Sequence, residues 1–296
     1  MSKLGISFLD FWSNFDPTKD VLFGNWLREN SDKVYLGGND IIIFSVFGDL
    51  HKKLTSKTRV KVLHTPENFI SHGYKPFGDR PISLDEATKV IDSICDFSML
   101  AIDAGSNNIR IPNYIRKYGY ESVSIVEDRR LSFNKTKNIF SCYRIHYKHR
   151  DTLIKNIMNL IKVDSPCNCL RNMTDHVEDK LKYMEPYKIT LAFENSFGPG
   201  YSSEKLYDCF LTKSIPVYWG DPNVLDDYNK ESLIDVRDFE TTYDLVNEMQ
   251  KILSDFEYFN YKVSINPIKN KQLFDKSNFT AFMDRILKEA YGKSIR

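Results

Sequence analysis

The segment from Ile189 to Tyr218 constrains the fold most strongly, because strand, turn, helix and strand patterns follow one another without interruption. The apolar run Ile189–Phe193 predicts a buried strand, and the turn residues Gly198–Gly200 follow it. A helix is predicted from about Ser203 to Thr212, and Ile215–Tyr218 predicts the next strand. Two strands joined through a helix run parallel, so the segment predicts one compact β-loop-α-β unit.

The first half of the chain shows the same alternation. Three short apolar runs predict strands that are buried on both faces: Ile41–Phe47, Val60–Leu63 and Met99–Ile102. Between the last two, Ser83–Ile94 predicts a helix, because Ser83 and Glu86 have capping-box spacing and apolar residues repeat with a helical period. Strands that alternate with helices indicate the α/β fold class.

The length of the chain indicates two domains, since 296 residues exceed the roughly 250 that one core serves efficiently. The polar, basic segment Leu131–Asn138 predicts a boundary near residue 135. We therefore expect a first domain over 1–135, a second over 136–275 and a C-terminal helix within 276–296. That helix either closes the second domain or crosses back to the first.

Charge and hydropathy exclude several classes of protein. The 41 Lys and Arg residues against 40 Asp and Glu give a net charge of +1, so no global field favours nucleic acid or a lipid surface. Residues 1–16 lack a signal-peptide pattern, and no run of roughly 18 apolar residues occurs. We expect no integral membrane segment and no nucleic-acid partner.

The cysteine pattern indicates whether the protein functions in a reducing or an oxidising environment. Five cysteines at irregular spacing do not form the dense framework of a secreted disulfide scaffold, which predicts a reducing, cytoplasmic environment. Cys167 and Cys169 would make a zinc site only with a second pair or nearby histidines, and His176 alone does not complete one. A zinc site is therefore not favoured.

The loop after Ile189–Phe193 has the features of an anion site. Glu194 and Asn195 end the strand, and Lys205 lies in the first turn of the next helix. A cation there is opposed by the helix dipole unless an anion lies beside it, and helix N-termini at sheet edges bind phosphates. The pattern alone also fits an ordinary turn with a solvated lysine.

The string FENSFGPGYSSEKLYDCFLTKSIPVYWG, Phe193 to Gly220, resembles the donor-binding signature of the α-1,3/α-1,4-fucosyltransferases, glycosyltransferase family ten. The resemblance covers roughly residues 136–240 well. Weaker matches occur in the family's order in the first domain, at Phe11-Trp12, Phe47-Gly48, Glu67-Asn68, Cys95-Asp96-Phe97 and Arg110–Tyr114.

The resemblance implies two Rossmann-like domains facing a cleft, the GT-B fold. The first domain would bind an oligosaccharide or glycoconjugate acceptor and the second would bind GDP-fucose. It also implies transfer with inversion at the anomeric carbon. Such a reaction needs a base for the acceptor hydroxyl and positive charge for the departing diphosphate.

The resemblance assigns roles to individual residues. Glu67, after the predicted strand Val60–Leu63, would be the catalytic base, although an isolated glutamate is usually a surface residue. Two cations, Arg150 and Lys205, would hold the diphosphate, with Arg150 pairing Asp151 as the ordinary alternative. Glu204 would accept hydrogen bonds from the donor sugar. Asn195 and Tyr201 match further donor contacts.

Other residues stay open at this point. Glu194 either contacts the donor or satisfies backbone groups at the strand end. Arg110, His64 and His72 are more typical of structural positions, and Trp219 of a core or wall position. No Asp-x-Asp motif occurs near the loop, so we expect no metal site and no required cofactor beside the donor substrate.

The leading hypothesis is fucosyl transfer from GDP-fucose to a hydroxyl of an acceptor glycan. N-acetylglucosamine in a lactosamine-like unit is favoured, with an α-1,3 linkage. A different nucleotide-sugar donor and a catalytically silent nucleotide-sugar or glycan-binding protein are the alternatives. The segment Ile70–Pro81, rich in Gly, Pro and aromatic residues, would be an acceptor loop or a long connection.

Overall fold

The computed structural model of the chain describes residues 2–53, 58–71, 77, 80–129 and 134–293. The strands are β1 Leu4–Leu9, β2 Val34–Leu36, β3 Ile41–Phe44, β4 Val60–Thr65, β5 Phe97–Leu100, β6 Asn108–Arg110, β7 Lys137–Phe140, β8 Tyr187–Phe193, β9 Ile215–Trp219 and β10 Ile234–Asp235. The α-helices are α1 Phe23–Glu29, α2 Leu84–Ile94, α3 Asn113–Tyr118, α4 Val123–Glu127, α5 Lys148–Met158, α6 Lys180–Met184, α7 Glu204–Leu211, α8 Val224–Asp227, α9 Thr242–Ser254, α10 Phe256–Ser264 and α11 Lys276–Lys293.

The chain divides into two compact units. The first contains Met1–Tyr120, Gly198–Tyr201 and Lys271–Arg296, and the second contains Glu121–Phe197 and Ser202–Asn270. The sequence places the change of domain near 135, whereas the units change after Tyr120. The hydroxyls of Ser122 and Tyr207 lie 2.9 Å apart, which joins the segment after Tyr120 to the second unit. Helix α11 lies in the first unit.

The first unit is built on a parallel sheet with the strand order β2-β1-β3-β4-β5-β6. Its register pairs Ile6 with Ile41 and Ile43 with Val62. The chain leaves β1 for β2 on one side and returns to β3 on the other, so the strand order reverses beside β1. In open α/β sheets, ligands bind at the carboxyl ends of strands near such a reversal.

The second unit has its own parallel sheet with the order β10-β9-β8-β7. Ile189 pairs with Ile215, and Phe193 pairs with Trp219. The predicted β-loop-α-β unit is therefore present as β8, α7 and β9. Each sheet has its own buried apolar cluster, which includes Ile42, Leu63 and Leu100 in the first unit and Ile189, Val217 and Met249 in the second. The predicted α/β class with parallel sheets is confirmed.

Local rules account for the predicted helices. The Ser83 hydroxyl accepts from the Glu86 N–H at 3.1 Å, and the Glu86 carboxylate accepts from the Ser83 N–H at 2.9 Å. This reciprocal capping box starts α2 where the sequence predicts it. Ser203 caps α7 in a related way, since its hydroxyl accepts from the Lys205 N–H.

The strand bounds differ from the sequence expectation by one to three residues: β4 extends to Thr65, β8 begins at Tyr187 and β9 ends at Trp219. The run Ile41–Phe47 leaves the strand at Phe44, and the Phe47 N–H then donates to the Asp10 carbonyl at 3.0 Å. The strand expected at Met99–Ile102 begins two residues earlier because Phe97 already pairs with Val62. Most of Ile70–Pro81, including His72, lies outside the described residues.

The cysteines differ in state. Cys142 and Cys167 form a disulfide with a Cα–Cα distance of 5.0 Å, so Cys167 is not free to make a zinc pair with Cys169. Cys95, Cys169 and Cys209 are free thiols. The reducing, cytoplasmic environment expected from cysteine spacing remains a prediction. Across the described ranges, no helix has the length and apolar character needed to span a bilayer.

Candidate functional site

The loop between β8 and α7 is organised around the carboxylate of Glu194. This side chain is fully buried at the end of β8. One carboxylate oxygen accepts from the Ser203 N–H at 2.8 Å, and the other accepts from the Ser203 hydroxyl at 2.6 Å. The Lys205 ammonium donates to that second oxygen at 3.0 Å. Glu194 thus holds both the N-cap and the first-turn cation of α7.

Lys205 is a largely buried cation at the start of α7, with 18% of its side chain exposed. Its Nζ also lies 2.8 Å from the Ser203 hydroxyl oxygen. Burial acts to lower the pKa of Lys205, but the carboxylates of Glu194 and Glu204 act to raise it, and the net pKa lies above its ordinary value. The residue is therefore an ammonium at neutral pH.

Gly220, directly after β9, is required by the position of Glu194. A Cβ atom at Gly220 would lie 2.3 Å from the Cγ atom of Glu194, well inside van der Waals contact. The glycine that ends the sequence motif therefore has a packing role: it leaves room for the buried carboxylate at its beginning.

Arg150 lies in α5 and is 3% exposed. Its guanidinium stacks on the Tyr143 ring at 3.9 Å, lies 5.2 Å from the Tyr147 ring and donates to the Ile145 carbonyl. Its Nε atom has no hydrogen-bond partner among the described residues. A buried guanidinium with an unused donor has the chemistry to bind a phosphate oxygen.

Tyr143 fixes that guanidinium to the sheet. Its hydroxyl donates to the Leu191 carbonyl at 2.5 Å and accepts from the Phe193 N–H at 2.7 Å. Both partners belong to β8, the strand that carries Glu194. Sequence reasoning missed Tyr143, Ser203 and the structural role of Gly220; of these, only Ser203 had a local signal, its N-cap position before a helix.

The predicted donor residues fall into both units. Arg150, Glu204 and Lys205 all belong to the second unit, where the charges of Arg150 and Glu204 act on the pKa of Lys205. Asn195 also belongs there and accepts from the Ser196 hydroxyl at 3.3 Å. Tyr201 is instead part of the first unit, where it is 4% exposed within the apolar cluster.

The glycine turn that precedes Tyr201 contacts other residues of the first unit. The Arg110 guanidinium donates to the Gly200 carbonyl at 3.1 Å and to the Ala101 carbonyl at 3.2 Å. A Cβ atom at Gly198 would lie 2.7 Å from the Asn68 amide. Arg110 therefore has a structural role in holding the glycine turn.

Glu67 follows β4 at the carboxyl edge of the first sheet and is half-buried. Its backbone N–H donates to the Thr65 hydroxyl at 3.2 Å, which shapes the turn that carries it. His64, three residues earlier, is buried, and its Nδ1 lies 3.1 Å from the Met99 carbonyl. Burial lowers the pKa of His64 to about 3, so its imidazole is neutral near pH 7 and has a structural role.

One group beside Arg150 has ligand atoms for a metal ion. Atoms of His146, Asp151 and Cys169 lie within 4.8 Å of one another, and His146 Nδ1 is 2.7 Å from the Asp151 carboxylate. The Arg150 Nε atom lies 3.9 Å from that carboxylate, so a divalent ion would meet a guanidinium. The group is better described as the ionic surroundings of Arg150.

The chain matches the family model described as glycosyltransferase family 10 (fucosyltransferase), C-terminal, over residues 134–286. This match contains β7 to α10 and most of α11. All of the cations and carboxylates around Glu194 lie within it.

Two curated relatives match parts of the chain. It is 32% identical over 149 residues to a protein named putative fucosyltransferase R654 of Acanthamoeba polyphaga mimivirus, covering 45% of this chain and 25% of the relative. It is 42% identical over 64 residues to alpha-(1,3)-fucosyltransferase FucT of Helicobacter pylori, covering 22% of this chain and 13% of the relative. The matched segments thus span a quarter or less of each relative's length.

A solved structure matches nearly the whole chain. The crystal structure of an alpha1,3-fucosyltransferase with GDP-fucose superposes with a TM-score of 0.72 at 17% identity, and covers 96% of this chain and 90% of that chain. At this identity the likeness shows the fold. The GT-B class predicted from the sequence is confirmed.

Proposed function

The chain belongs to glycosyltransferase family 10, the fucosyltransferases, and on that premise we propose that it transfers L-fucose from GDP-fucose to a hydroxyl of an acceptor glycan. The observation that carries the proposal is the largely buried Lys205 ammonium, held at the start of α7 by Glu194, in the same unit as the buried Arg150 guanidinium. Two fixed cations at the carboxyl edge of a parallel sheet suit a diphosphate leaving group.

The donor half of the reaction follows from these groups. As the bond between the fucose anomeric carbon and the β-phosphate oxygen breaks, negative charge moves onto GDP. Lys205 and Arg150 would stabilise that charge without reorganising, because Glu194 and Tyr143 already hold them. Glu204 and Asn195 would hydrogen-bond to the donor.

We assign the base to Glu67 in the first unit. It would take the proton of the acceptor hydroxyl while that oxygen bonds to the anomeric carbon from the face opposite GDP, which inverts the configuration. Support comes from its position directly after β4, at the carboxyl edge of the first sheet.

The acceptor is proposed from the relatives. The named similarity to an alpha-(1,3)-fucosyltransferase supports an α-1,3 linkage, and we propose N-acetylglucosamine in a lactosamine-like unit as the acceptor. An oligosaccharide or glycoconjugate would present it. We also propose that Lys205 and Arg150, rather than a divalent metal ion, stabilise the charge that develops on the leaving diphosphate.

Calorimetric titration tests the donor. We expect binding of GDP-fucose with weaker binding of GDP-mannose and of UDP-sugars. Selective binding of a UDP-sugar would refute the GDP-fucose assignment and favour the alternative donor.

Glu67→Gln tests the base. We expect an unchanged GDP-fucose Kd and a transfer rate lower by about 10²- to 10⁴-fold, since a general base contributes on that scale. Glu257→Gln, an exposed carboxylate in α10, is the control. Full transfer activity of Glu67→Gln would contradict the assignment.

A further inference from the structure

We infer that Glu194 is a positioning residue. It holds the Lys205 ammonium, directly and through the Ser203 hydroxyl, where the donor diphosphate binds, and Gly220 leaves the space that its side chain needs. The inference rests on the proposed function for the identity of the ligand. It concerns a residue whose sequence position fits equally well with a carboxylate that only satisfies backbone groups.

The hydrogen bonds distinguish these two roles. The Ser203 N–H is the backbone group that Glu194 satisfies, and it needs one carboxylate oxygen, at 2.8 Å. The second oxygen accepts from two side-chain donors, the Ser203 hydroxyl at 2.6 Å and Lys205 Nζ at 3.0 Å. Backbone satisfaction alone does not require these contacts.

Ser203 links the two charged groups. Its hydroxyl has one proton, which is directed at Glu194, so its oxygen can accept from Lys205 Nζ at 2.8 Å. Two of the three ammonium protons are therefore oriented by the described residues of this loop. The third proton is available for a phosphate oxygen.

The cost of this arrangement indicates that it is needed. A carboxylate that is 0% exposed is expensive to bury, and a buried ion pair rarely contributes net stability compared with an apolar replacement. The site also requires glycine at position 220, because a Cβ atom there would lie 2.3 Å from Glu194 Cγ. Both features are explained if the ammonium must be charged and fixed.

The surrounding charges determine how Lys205 would behave without Glu194. The charged groups that affect its pKa are Glu194 directly after β8, Glu204 of α7 and Arg150 of α5. Tyr218 of β9 interacts electrostatically with both Glu194 and Asp221. Removal of the Glu194 charge would leave burial and Arg150 opposed only by Glu204. The pKa of Lys205 would then fall, and the amine would begin to lose its proton just above neutral pH.

Calorimetry of GDP binding at pH 7 and pH 8.5 tests this role without an acceptor. We expect similar Kd values at both pH values for the wild-type protein. Glu194→Gln should bind more weakly at pH 7, and by about tenfold more at pH 8.5, since its Lys205 would lose the proton in this range. Glu194→Asp should restore the flat pH profile, and Lys205→Met should bind weakly at both values.

A second measurement needs no ligand. Acylation of the Lys205 amine, followed by peptide mass spectrometry, reports how much of it is neutral. We expect slow acylation at pH 8.5 in the wild-type protein and faster acylation in Glu194→Gln. If Glu194→Gln does not fold by thermal unfolding, Gly220→Ala, which crowds Glu194 but retains its charge, should show weaker GDP binding.

The outcomes separate the two claims. Wild-type protein that binds no GDP refutes the proposed function, while the acylation rates still test Glu194. Glu194→Gln with wild-type acylation and a wild-type pH profile of GDP binding overturns the inference. So does a uniform loss of affinity at both pH values with unchanged acylation, which a purely structural role would produce.

Discussion

Arg150 and Lys205 are both buried cations, but the protein holds them by different interactions. Lys205 is fixed by a carboxylate and a hydroxyl, whereas Arg150 is fixed by two aromatic rings and a carbonyl. A ring contact stabilises the guanidinium without pairing it with an opposite charge, and the Asp151 carboxylate lies 3.9 Å from its Nε atom, beyond hydrogen-bond distance. The two residues are therefore not interchangeable.

Arg150→Lys should weaken GDP binding by about tenfold, because the variant loses the stacking on Tyr143 and the forked donor geometry. The Kd measured by calorimetry checks this expectation. Arg144→Lys, at an exposed position before α5, should bind GDP as the wild-type protein does. Equal affinity of the two variants would show that Arg150 does not contact the donor.

The sequence predicts these residues unequally. Arg150 and Lys205 follow from the family resemblance, and both belong to the second unit. Tyr201 lies only four residues before Lys205 in the chain but belongs to the core of the first unit. Glu194 and Gly220 are letters of the same motif, yet their contact joins the ends of two adjacent strands. A contact of this kind depends on the sheet register and cannot be inferred from local spacing.

At the scale of elements, basic side chains in the second unit bind the carbonyl ends of several helices. Lys135 donates to the Glu185 carbonyl at 2.7 Å and to the Thr212 carbonyl at 2.6 Å, at the ends of α6 and α7. Lys213 donates to the Ile125 carbonyl within α4 at 2.5 Å. Unsatisfied carbonyls and the helix dipole both favour donors at these positions.

This arrangement predicts a pH dependence of stability. Burial lowers the pKa of Lys135 from 10.5 to about 7. Between these values the unfolded chain binds a proton that the folded protein does not, so the free energy of unfolding should rise as the pH rises above about 7. One such group contributes at most about 1.4 kcal/mol per pH unit.

Lys135→Met should therefore flatten the increase of Tm between pH 7 and pH 9, although its absolute Tm will fall because two hydrogen bonds are lost. Lys155→Met, at an exposed position in α5, should retain the wild-type slope. Thermal unfolding by circular dichroism measures both. An unchanged slope for Lys135→Met would mean that this amine is charged in the folded protein.

Elements with strong periodicity or caps were predictable, and short ones were not. The capping box of Ser83 and Glu86 and the apolar run of β8 identify their elements without tertiary information. By contrast, β2 and β6 have three residues each, too few for a pattern, and exist because neighbouring strands pair with them. The bounds of β3 and β5 also depend on pairing.

At the scale of the whole molecule, the chain passes from one unit to the other within the family motif itself. Phe197 ends one segment of the second unit, Gly198–Tyr201 belongs to the first, and Ser202 returns to the second. Composition gives no sign of this exchange, because glycine and proline predict only a turn. Two units could be predicted from length, but not which residues of the turn each unit contains.

The proposed chemistry also predicts how the transfer reaction depends on divalent metal ions. Because Lys205 and Arg150 would supply two positive charges to the leaving group under the proposed function, transfer should proceed at the same rate in EDTA as with added Mg²⁺ or Mn²⁺. Initial rates of GDP release measure this. Loss of activity in EDTA with recovery on addition of a divalent ion would contradict the role given to the two cations.

Incubation of the protein with GDP-fucose and a glycan array, followed by mass spectrometry and linkage analysis, tests the central claim most directly. We expect one added fucose on glycans that present N-acetylglucosamine in a lactosamine-like unit, in α-1,3 linkage, together with acceptor-dependent release of GDP. Saturable binding of GDP-fucose with no fucosylated product on any acceptor would contradict the claim and identify a silent binding protein.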